Sequence, residues 1–563
     1  MDVFIEKTKL TSTAENILRK RYYRGEENSW EQVAKRVTDW VCVDEDAGRK
    51  ELIEQMIANR YFIPNSPCLV NSGTPGGGLS ACFVVDFEDS IIDIYKTKLN
   101  FALIAKKGGG CGTTLTKIRP ESDKVAGSTH GFSGGPVKFF DTICHDMKAM
   151  TQAGFREMAM MGTMSVYHPD ILKFIHAKEE EGRMHTTNIS VVVDSAFMEK
   201  VINNEKYTTY FDYPEGRRYY EQLSASDVFS QIIEGAWRNG EPGILFYDQL
   251  NNSPYKYSGQ EILATNPCGE QPLPPNGVCN LGSLDISKFL DENKQIDLWM
   301  LELATRLSIR FLDDVCSVSS YPTEEITEWV SKNRPVGLGI MGLADYYMER
   351  GVAYGSPKAL EELEFIMSFI KNIAEDESAI LGEERGVPES CKVLPTPRRN
   401  ITLISIAPTG TISLIANCNS GIEPFFSEVT LREDKTGNYE MDSNHHLADY
   451  FRCAVSSGNS KEVTWEEHVL TQASAQKFVD SGVSKTINFP SHTHRDTIGK
   501  AFMLAWELGC KGITVYRNGS REIEVLKPKL VKKDLCPVCE SPIVKESNCK
   551  HCTQCDWTMC EIG

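Results

Sequence analysis

The sequence predicts an α/β protein with a large, mainly parallel sheet, preceded by a helical region and followed by a small cysteine-rich module. Three observations carry that expectation. Between residues 61 and 523, short β-rich runs bounded by turn residues alternate with longer stretches of helical periodicity. The first sixty residues carry helical periodicity and capping residues, without a glycine-rich phosphate loop. Six of the 18 cysteines crowd between Cys536 and Cys560. With 563 residues, the chain exceeds what one ordinary core supports, so more than one unit is expected.

Each element follows in order. In residues 1–60, Ser12-x-x-Glu15 and Ser29-x-x-Gln32 read as capping boxes, and Trp30, Val33, Val37 and Val41 mark one apolar helix face. A third amphipathic run ends at "YFIPNSPC", where two prolines stop it. In residues 61–523, "SACFVVDF", "NISVVVD", "GILFYD" and "ITLISIAP" are strand candidates. "DVFSQIIEGAWRNG" and "DLWMLELATRLSIRFLDDV" carry the helical period. Active sites in such folds lie at strand ends and loops. Residues 524–535, Lys-rich with one proline, read as an extended linker, and 536–563 as a zinc-ribbon-like redox tail.

A net charge of −18 argues against broad binding to a nucleic-acid backbone, so no DNA partner is expected. Small anions remain compatible, because backbone amides and one or two basic side chains suffice for them. No run of eighteen apolar residues exists and the first residues lack an apolar core, so neither a membrane span nor a secretory signal is expected. The cytoplasm is the expected compartment. There, clustered cysteines read as metal or redox chemistry rather than structural disulfides.

The chemistry-bearing motifs are four. "ATNPCGEQPL" places Cys268 two residues before Glu270 on a segment too rich in Pro and Gly for a helix, with Cys279 close behind; a thiol in such company reads as reactive. "GGGCGTTLTKIRP" and "APTGTISLIANCNSGIEP" offer glycine-rich turns where backbone amides could hold phosphate, although neither is a Walker A loop. In the tail, Cys536-x-x-Cys539 and Cys552-x-x-Cys555 have zinc-ribbon spacing. Cys555 and Cys560, near the end, also suit a dithiol that exchanges disulfides elsewhere. Cys555 cannot fill both roles at once.

"NPCGE" with "GVCNLGSLDIS", "PNSPCLVNSG" with "LSACFVVDFEDSI", and the two glycine-rich turns, followed by "GITVYRNGSRE", occur in an order that resembles the catalytic chain of ribonucleotide reductase, from about residue 8 to the end. "NPCGE", "VYRNGSR" and the Cys-rich tail resemble class II, the adenosylcobalamin-dependent branch. The resemblance implies a ten-stranded α/β barrel of the ribonucleotide reductase and glycyl radical enzyme type. Cys268 would sit at the tip of a threading loop, sheltered from water, and become the thiyl radical. It implies Glu270 as general base, Asn266 as substrate-binding amide, and Cys82 with Cys279 as the dithiol that closes to a disulfide. The tail dithiol, Cys555 and Cys560, would reopen that disulfide with electrons from a thioredoxin- or glutaredoxin-type reductant. Substrate phosphates of a ribonucleoside di- or triphosphate fall to Ser66, Thr409, Gly410, Thr411 and Ile412. A dNTP or ATP effector falls to Asp89, Ser90, Ile91 and Arg119, with Arg156 in the specificity loop 153–162, whose methionines depart from the family pattern. Zinc would be held by Cys536, Cys539, Cys552 and Cys555.

Thr514-Val515-Tyr516-Arg517 stands where class I chains carry adjacent tyrosines for a radical arriving from another subunit, which favours a radical made in place. The N-terminus lacks the overall-activity nucleotide module, and no long insertion separates Asp89 from Arg119, so a homodimer completing the effector site is expected. Two rival readings remain: a class I large subunit needing a diiron or dimanganese partner, and a non-catalytic zinc-ribbon binding protein.

Overall fold

The computed structural model describes residues 3–5, 9–125, 131–152, 156–180, 182–184, 186–434, 437–443, 448–458, 460–520, 526–529, 536, 538–539, 543–546, 549–552, 554–555 and 557–560. Three helices open the chain: Ser12–Arg21, Trp30–Val41 and Ala47–Ala58. Thr11, not Ser12, caps the first, its side chain accepting from the Ala14 amide. Ser29 caps the second as expected, but the Gln32 side chain accepts from Asn28 rather than returning to Ser29. Trp30, Val33, Val37 and Val41 are all buried, and the Trp30 indole N–H donates to the Ile57 carbonyl at 3.0 Å. Burying one such side chain is worth about 1.5–3 kcal/mol, so this stripe holds the helices to the rest of the molecule.

The centre is a ten-membered ring of extended segments in two halves. Cys82–Val84, Gly110–Thr114, Met160–Ser165, Thr187–Val193 and Gly243–Phe246 run parallel to one another. Val278–Asp285 pairs parallel with Val336–Met341, and Thr486–Phe489 parallel with Gly512–Arg517. The halves meet antiparallel at two seams, Cys82–Val84 against Val278–Asp285 and Gly243–Phe246 against Gly512–Arg517. The remaining gap is closed by residues 402–406. On one side Leu338 N–H donates to Leu403 O at 2.7 Å and Ser405 N–H to Leu338 O at 3.0 Å. On the other, Ile406 N–H donates to Gly482 O at 3.2 Å and Ser484 N–H to Ile406 O at 2.8 Å.

"ITLISIAP" therefore occupies a strand position, yet it forms only isolated bridges instead of a regular strand. The cause is a carboxylate: the amides of Leu403 and Ile404 donate to Asp480 Oδ2 at 2.9 and 3.3 Å, which diverts them from a ladder. Helices such as Leu298–Val318 and Pro357–Arg385 clad the ring and pack against each other. Within 524–535, Leu526–Pro528 lies extended and docks antiparallel on Thr430–Arg432. The tail carries a small three-stranded sheet, Ile543–Glu546, Cys549–Cys552 and Thr558–Cys560. Among the described residues, no helix is long and apolar enough to cross a membrane.

Candidate active site

A hairpin threads the ring. Ala264 and Thr265 pair antiparallel with Leu273 and Pro272, and the tip 266–271 lies between them. The tip closes on itself: Gln271 N–H donates to Asn266 Oδ1 at 2.9 Å and Gly269 N–H to Asn266 O at 3.1 Å. Its proline, its left-handed Gly269 and these side-chain bonds exclude a helix. Two glycines make room for it. A Cβ on Gly112 would lie 1.7 Å from Thr265 O, and one on Gly482 would lie 2.4 Å from Gly269 O. The ring walls then grip the hairpin: Gly482 N–H and the Ser405 hydroxyl both donate to Glu270 O, at 2.8 and 3.0 Å. Asn188 Nδ2 donates to Pro267 O at 2.8 Å.

Four of the five expected catalytic residues are buried together. Cys82 and Cys279 are cross-strand partners at the first seam. Directly opposed antiparallel residues have Cα atoms about 4.5–5.5 Å apart, inside the range a disulfide spans. Asn266 Nδ2 lies 3.1 Å from Cys82 Sγ, and the Cys82 thiol lies 3.7 Å from Glu270 Oε1. Glu270 Oε2 is buried with no hydrogen-bond partner among the described residues. Burial pushes the Glu270 carboxyl up from its ordinary value, with the Asn266 amide pulling the other way. Burial also pushes both thiols well up, and the neighbouring Glu270 carboxylate adds to this. The pair is therefore protonated at neutral pH.

The fifth, Cys268, is exposed. The expectation that the barrel itself shelters this thiol from water is corrected here. Gly110 and Asn188, at the starts of their strands, flank Pro267, so the tip reaches the mouth of the ring. Pro267, Asn266 and Glu270 are buried behind it while one side of Cys268 stays open.

The 409–412 turn follows segment 402–406 at that same mouth, where the second-half strands end. Thr409 is buried with φ +47°, its hydroxyl accepts from Gly421 N–H at 2.8 Å, and Arg432 Nη1 donates to Gly410 O at 2.7 Å. Gly410 and Thr411 lead into the short helix Ile412–Ala416. That helix packs on Ser12–Arg21 and on strand Phe62–Pro64, two residues before Ser66, whose hydroxyl is 2.8 Å from Tyr22 OH. Asp345, pushed up to about 7 by burial, accepts from Asn419 N–H at 2.6 Å and anchors the far end of the turn.

Asp89, Ser90, Ile91 and Arg119 also converge. Ser90 caps the helix Ile91–Lys107, and Asp89 accepts from Arg119 N–H at 3.1 Å and from Arg119 Nε at 2.8 Å. Arg156 has its backbone paired with Gln152, whereas its side chain and residues 153–155 lie outside the described residues. In the tail, the Sγ atoms of Cys536, Cys539, Cys552 and Cys555 all lie within 4.8 Å of one another. Cys560 has its backbone opposite Cys549, and its side chain lies outside the described residues.

Sequence reasoning missed Ser405, Gly482 and Asn188, which grip the hairpin, and Asp345, which anchors the 409–412 turn; all sit far from the hairpin in sequence and carry no motif of their own. It also missed Tyr213, on the hairpin Lys206–Ser224, whose ring lies 5.8 Å from the Arg119 guanidinium.

Comparison with known proteins agrees with this geometry. The family model for the ribonucleotide reductase barrel domain matches residues 80–392 and 389–516, and that for the all-alpha domain matches 8–77. The chain is 37% identical over 560 residues to the vitamin B12-dependent ribonucleoside-diphosphate reductase of Thermoplasma acidophilum, covering 92% of this chain and 72% of that protein. It is 34% identical over 579 residues to the protein of the same name from Mycobacterium tuberculosis, covering 94% and 83%. The Plasmodium falciparum ribonucleoside-diphosphate reductase large subunit is more distant, 26% identical over 551 residues. A buried cross-strand dithiol beside a carboxylate carried by a threaded hairpin, two domain matches spanning most of the length, and relatives above 30% identity have one reading in common: the chain belongs to the ribonucleotide reductase family.

Proposed function

We propose that this chain reduces ribonucleotides to 2′-deoxyribonucleotides through a thiyl radical at Cys268, with adenosylcobalamin as radical source and a ribonucleoside diphosphate as the favoured substrate. The observation that carries the reading is the meeting of Cys82, Cys279, Asn266 and Glu270, whose Oε2 has no hydrogen-bond partner among the described residues, behind an exposed Cys268. The open side of Cys268 fits a bulky group laid over the tip, which would then supply the water exclusion that the barrel does not. When bound, adenosylcobalamin supplies a carbon radical by cleavage of its cobalt–carbon bond.

The chain's own residues do the rest. The Cys268 sulfur, having lost its hydrogen atom, takes the ribose 3′ hydrogen; S–H and such C–H bonds are close in strength, so the step is reversible. Glu270 Oε2 accepts the 3′-hydroxyl proton. The 2′ hydroxyl leaves as water with one thiol proton, the second thiol hydrogen goes to C2′ as two electrons pass from the Cys82 and Cys279 sulfurs to the sugar, a disulfide closes, and Glu270 gives its proton back to the 3′ oxygen. Cys268 finally returns the 3′ hydrogen. Ser66 and the 409–412 turn hold the substrate phosphates.

A dNTP or ATP effector occupies Asp89, Ser90, Ile91 and Arg119, and Arg156 contacts its base. A second copy covers the adjoining helix, whose Ile91, Ile92, Tyr95 and Leu99 are exposed at helical spacing. Coupling between the two nucleotide sites makes this allosteric control. The reaction needs reduced thiols, which supports a cytoplasmic location.

The decisive experiment supplies adenosylcobalamin and a dithiol to the purified chain. Deoxyribonucleotide should form with no second protein; a requirement for a metal-containing partner subunit would transfer the chain to the class I reading.

For the tail, zinc is held by Cys536, Cys539, Cys552 and Cys555 as four thiolates. This withdraws Cys555 from the exchange pair, and Cys549, opposite Cys560 on the adjacent strand, replaces it. The chain should contain about one zinc. Cys560→Ser should complete one turnover from the prereduced state and then stop with a thioredoxin-type reductant; an unchanged steady-state rate would remove the shuttle role.

A further inference from the structure

A cavity of about 640 Å³ opens at the end of the barrel opposite Cys268. Its walls come from the stretch after strand Gly243–Phe246, the stretches before strands Thr486–Phe489 and Gly512–Arg517, and the helix Pro357–Arg385. The volume falls within that of ordinary small-molecule sites, about 300–1,000 Å³. None of the residues assigned to substrate, effector, cofactor or tail lines it.

Its charge runs against that of the chain. On a protein with net charge −18, the walls carry Lys256, Lys371, Lys477, Lys511 and Arg398, against Glu375, Asp376 and Asp480. The carboxylates are already engaged. Glu375 takes Arg398 at 3.1 Å, and Asp376 takes Arg306, from outside the cavity, at 2.7 Å. Asp480 Oδ2 takes the amides of Leu403 and Ile404. Of the cations, Lys477 is satisfied by Glu364 at 2.6 Å, also outside.

Three ammonium groups are left with weak compensation. Lys256 donates to the neutral Asn252 Oδ1 at 2.9 Å, Lys511 donates to the Asp480 carbonyl, and Lys371 stands 3.7 Å from Asp480 Oδ1. Lys511 is buried, and burial lowers its ammonium to about 8; Asp480 opposes that shift, while Lys371 and Lys256 repel it further. Lys371 and Lys511 share the Asp480 carboxylate, and Lys256, 5.2 Å from the Tyr257 ring centre, adds a third positive charge beside them, an excess that suits an anion. Beside them, Leu394, Pro395 and Leu508 offer an apolar wall.

We propose that this cavity binds an organic phosphate, its phosphate oxygens taken by Lys256, Lys371 and Lys511 and its uncharged part lying on Leu394, Pro395 and Leu508. The site communicates with the chemistry through few bonds. Lys511 holds the Asp480 carbonyl, Asp480 fixes segment 402–406, and Gly482, two residues on, donates to Glu270 O. An occupant that tightens Lys511 therefore acts on the backbone that positions the base. The proposal stands apart from the radical reading, since neither Cys268 nor the cofactor enters it.

The test is calorimetry on the full chain without substrate, using inorganic pyrophosphate and ATP as separate probes. Lys256 is exposed and Lys371 partly so, so the double variant Lys256→Ala/Lys371→Ala should fold as the parent does, checked by thermal unfolding. The parent should bind one equivalent of each probe more than the double variant, with ATP displacing pyrophosphate from that equivalent. Its binding should weaken at least tenfold in the variant and take up a proton near pH 8. Equal stoichiometry and affinity in parent and variant would overturn the site. Pyrophosphate binding that ATP cannot displace would overturn the organic-phosphate assignment.

Discussion

Replacing Cys268 by serine is expected to abolish deoxyribonucleotide formation while leaving the fold intact. A serine O–H bond is far stronger than a thiol S–H bond, so neither generation of the side-chain radical nor return of the 3′ hydrogen stays accessible. Each 1.4 kcal/mol added to a barrier costs about tenfold, and a penalty of about 6 kcal/mol already costs about 10⁴-fold. Cys268 is exposed at the hairpin tip, and the bonds that hold the hairpin come from Asn188, Ser405 and Gly482. Surface substitutions of this kind usually stay within about 0.5 kcal/mol, so the unfolding midpoint should match the parent. Product measured with adenosylcobalamin and dithiol should fall to background. Sustained turnover by a serine variant would end the thiyl mechanism.

What could be read before folding was the chemistry carried by contiguous residues. Cys268 and Glu270 share one loop, and the tail cysteines announce their cluster by spacing. Alternating β-rich and helical runs announced the parallel halves of the ring. Three other features depend on distance in sequence. Cys82 and Cys279 become partners only when the strand register sets them opposite each other, 197 residues apart. Segment 402–406 looked like an ordinary strand because its apolar pattern is right; the carboxylate that redirects its amides belongs to Asp480, more than seventy residues later. The resemblance implies a sheltered Cys268, but burial is decided by how far a hairpin protrudes, and here the tip reaches the mouth. In the tail, spacing left Cys555 with two incompatible roles. Its Sγ lies 3.5 Å from both Cys536 and Cys539, a geometry that favours the metal.

The capture of Glu270 by the ring connects these features to function. Its carbonyl is fixed by Gly482 and Ser405, one carboxylate oxygen lies 3.7 Å from the Cys82 thiol, and the other has no hydrogen-bond partner among the described residues. A buried acceptor without a donor is costly unless a ligand completes it. In the proposed mechanism the ribose 3′ hydroxyl is that donor.

Glu270→Gln is accordingly expected to lose activity and lose none of its stability. The amide cannot accept the 3′-hydroxyl proton, and removal of a general base costs about 10²–10⁴-fold. The sign of the stability effect follows from burial, which raises the folded carboxyl above its ordinary 4.5. Between 4.5 and that raised value the folded state binds more protons than the unfolded one, so stability falls as pH rises through the window. Above it, the parent carries a buried charge that the glutamine variant lacks. The variant should therefore be at least as stable as the parent at pH 8, and its advantage should shrink on acidification. Activity has the opposite dependence. The base works only when ionised, so kcat/KM of the parent should fall as pH drops through the raised value, giving an acid limb above pH 4.5 that the residual activity of the variant lacks. A structural role alone predicts the reverse pattern, a destabilised variant whose remaining activity keeps the parent's pH profile. Denaturant midpoints at pH 6 and 8, measured beside the two pH–rate profiles, separate the two outcomes.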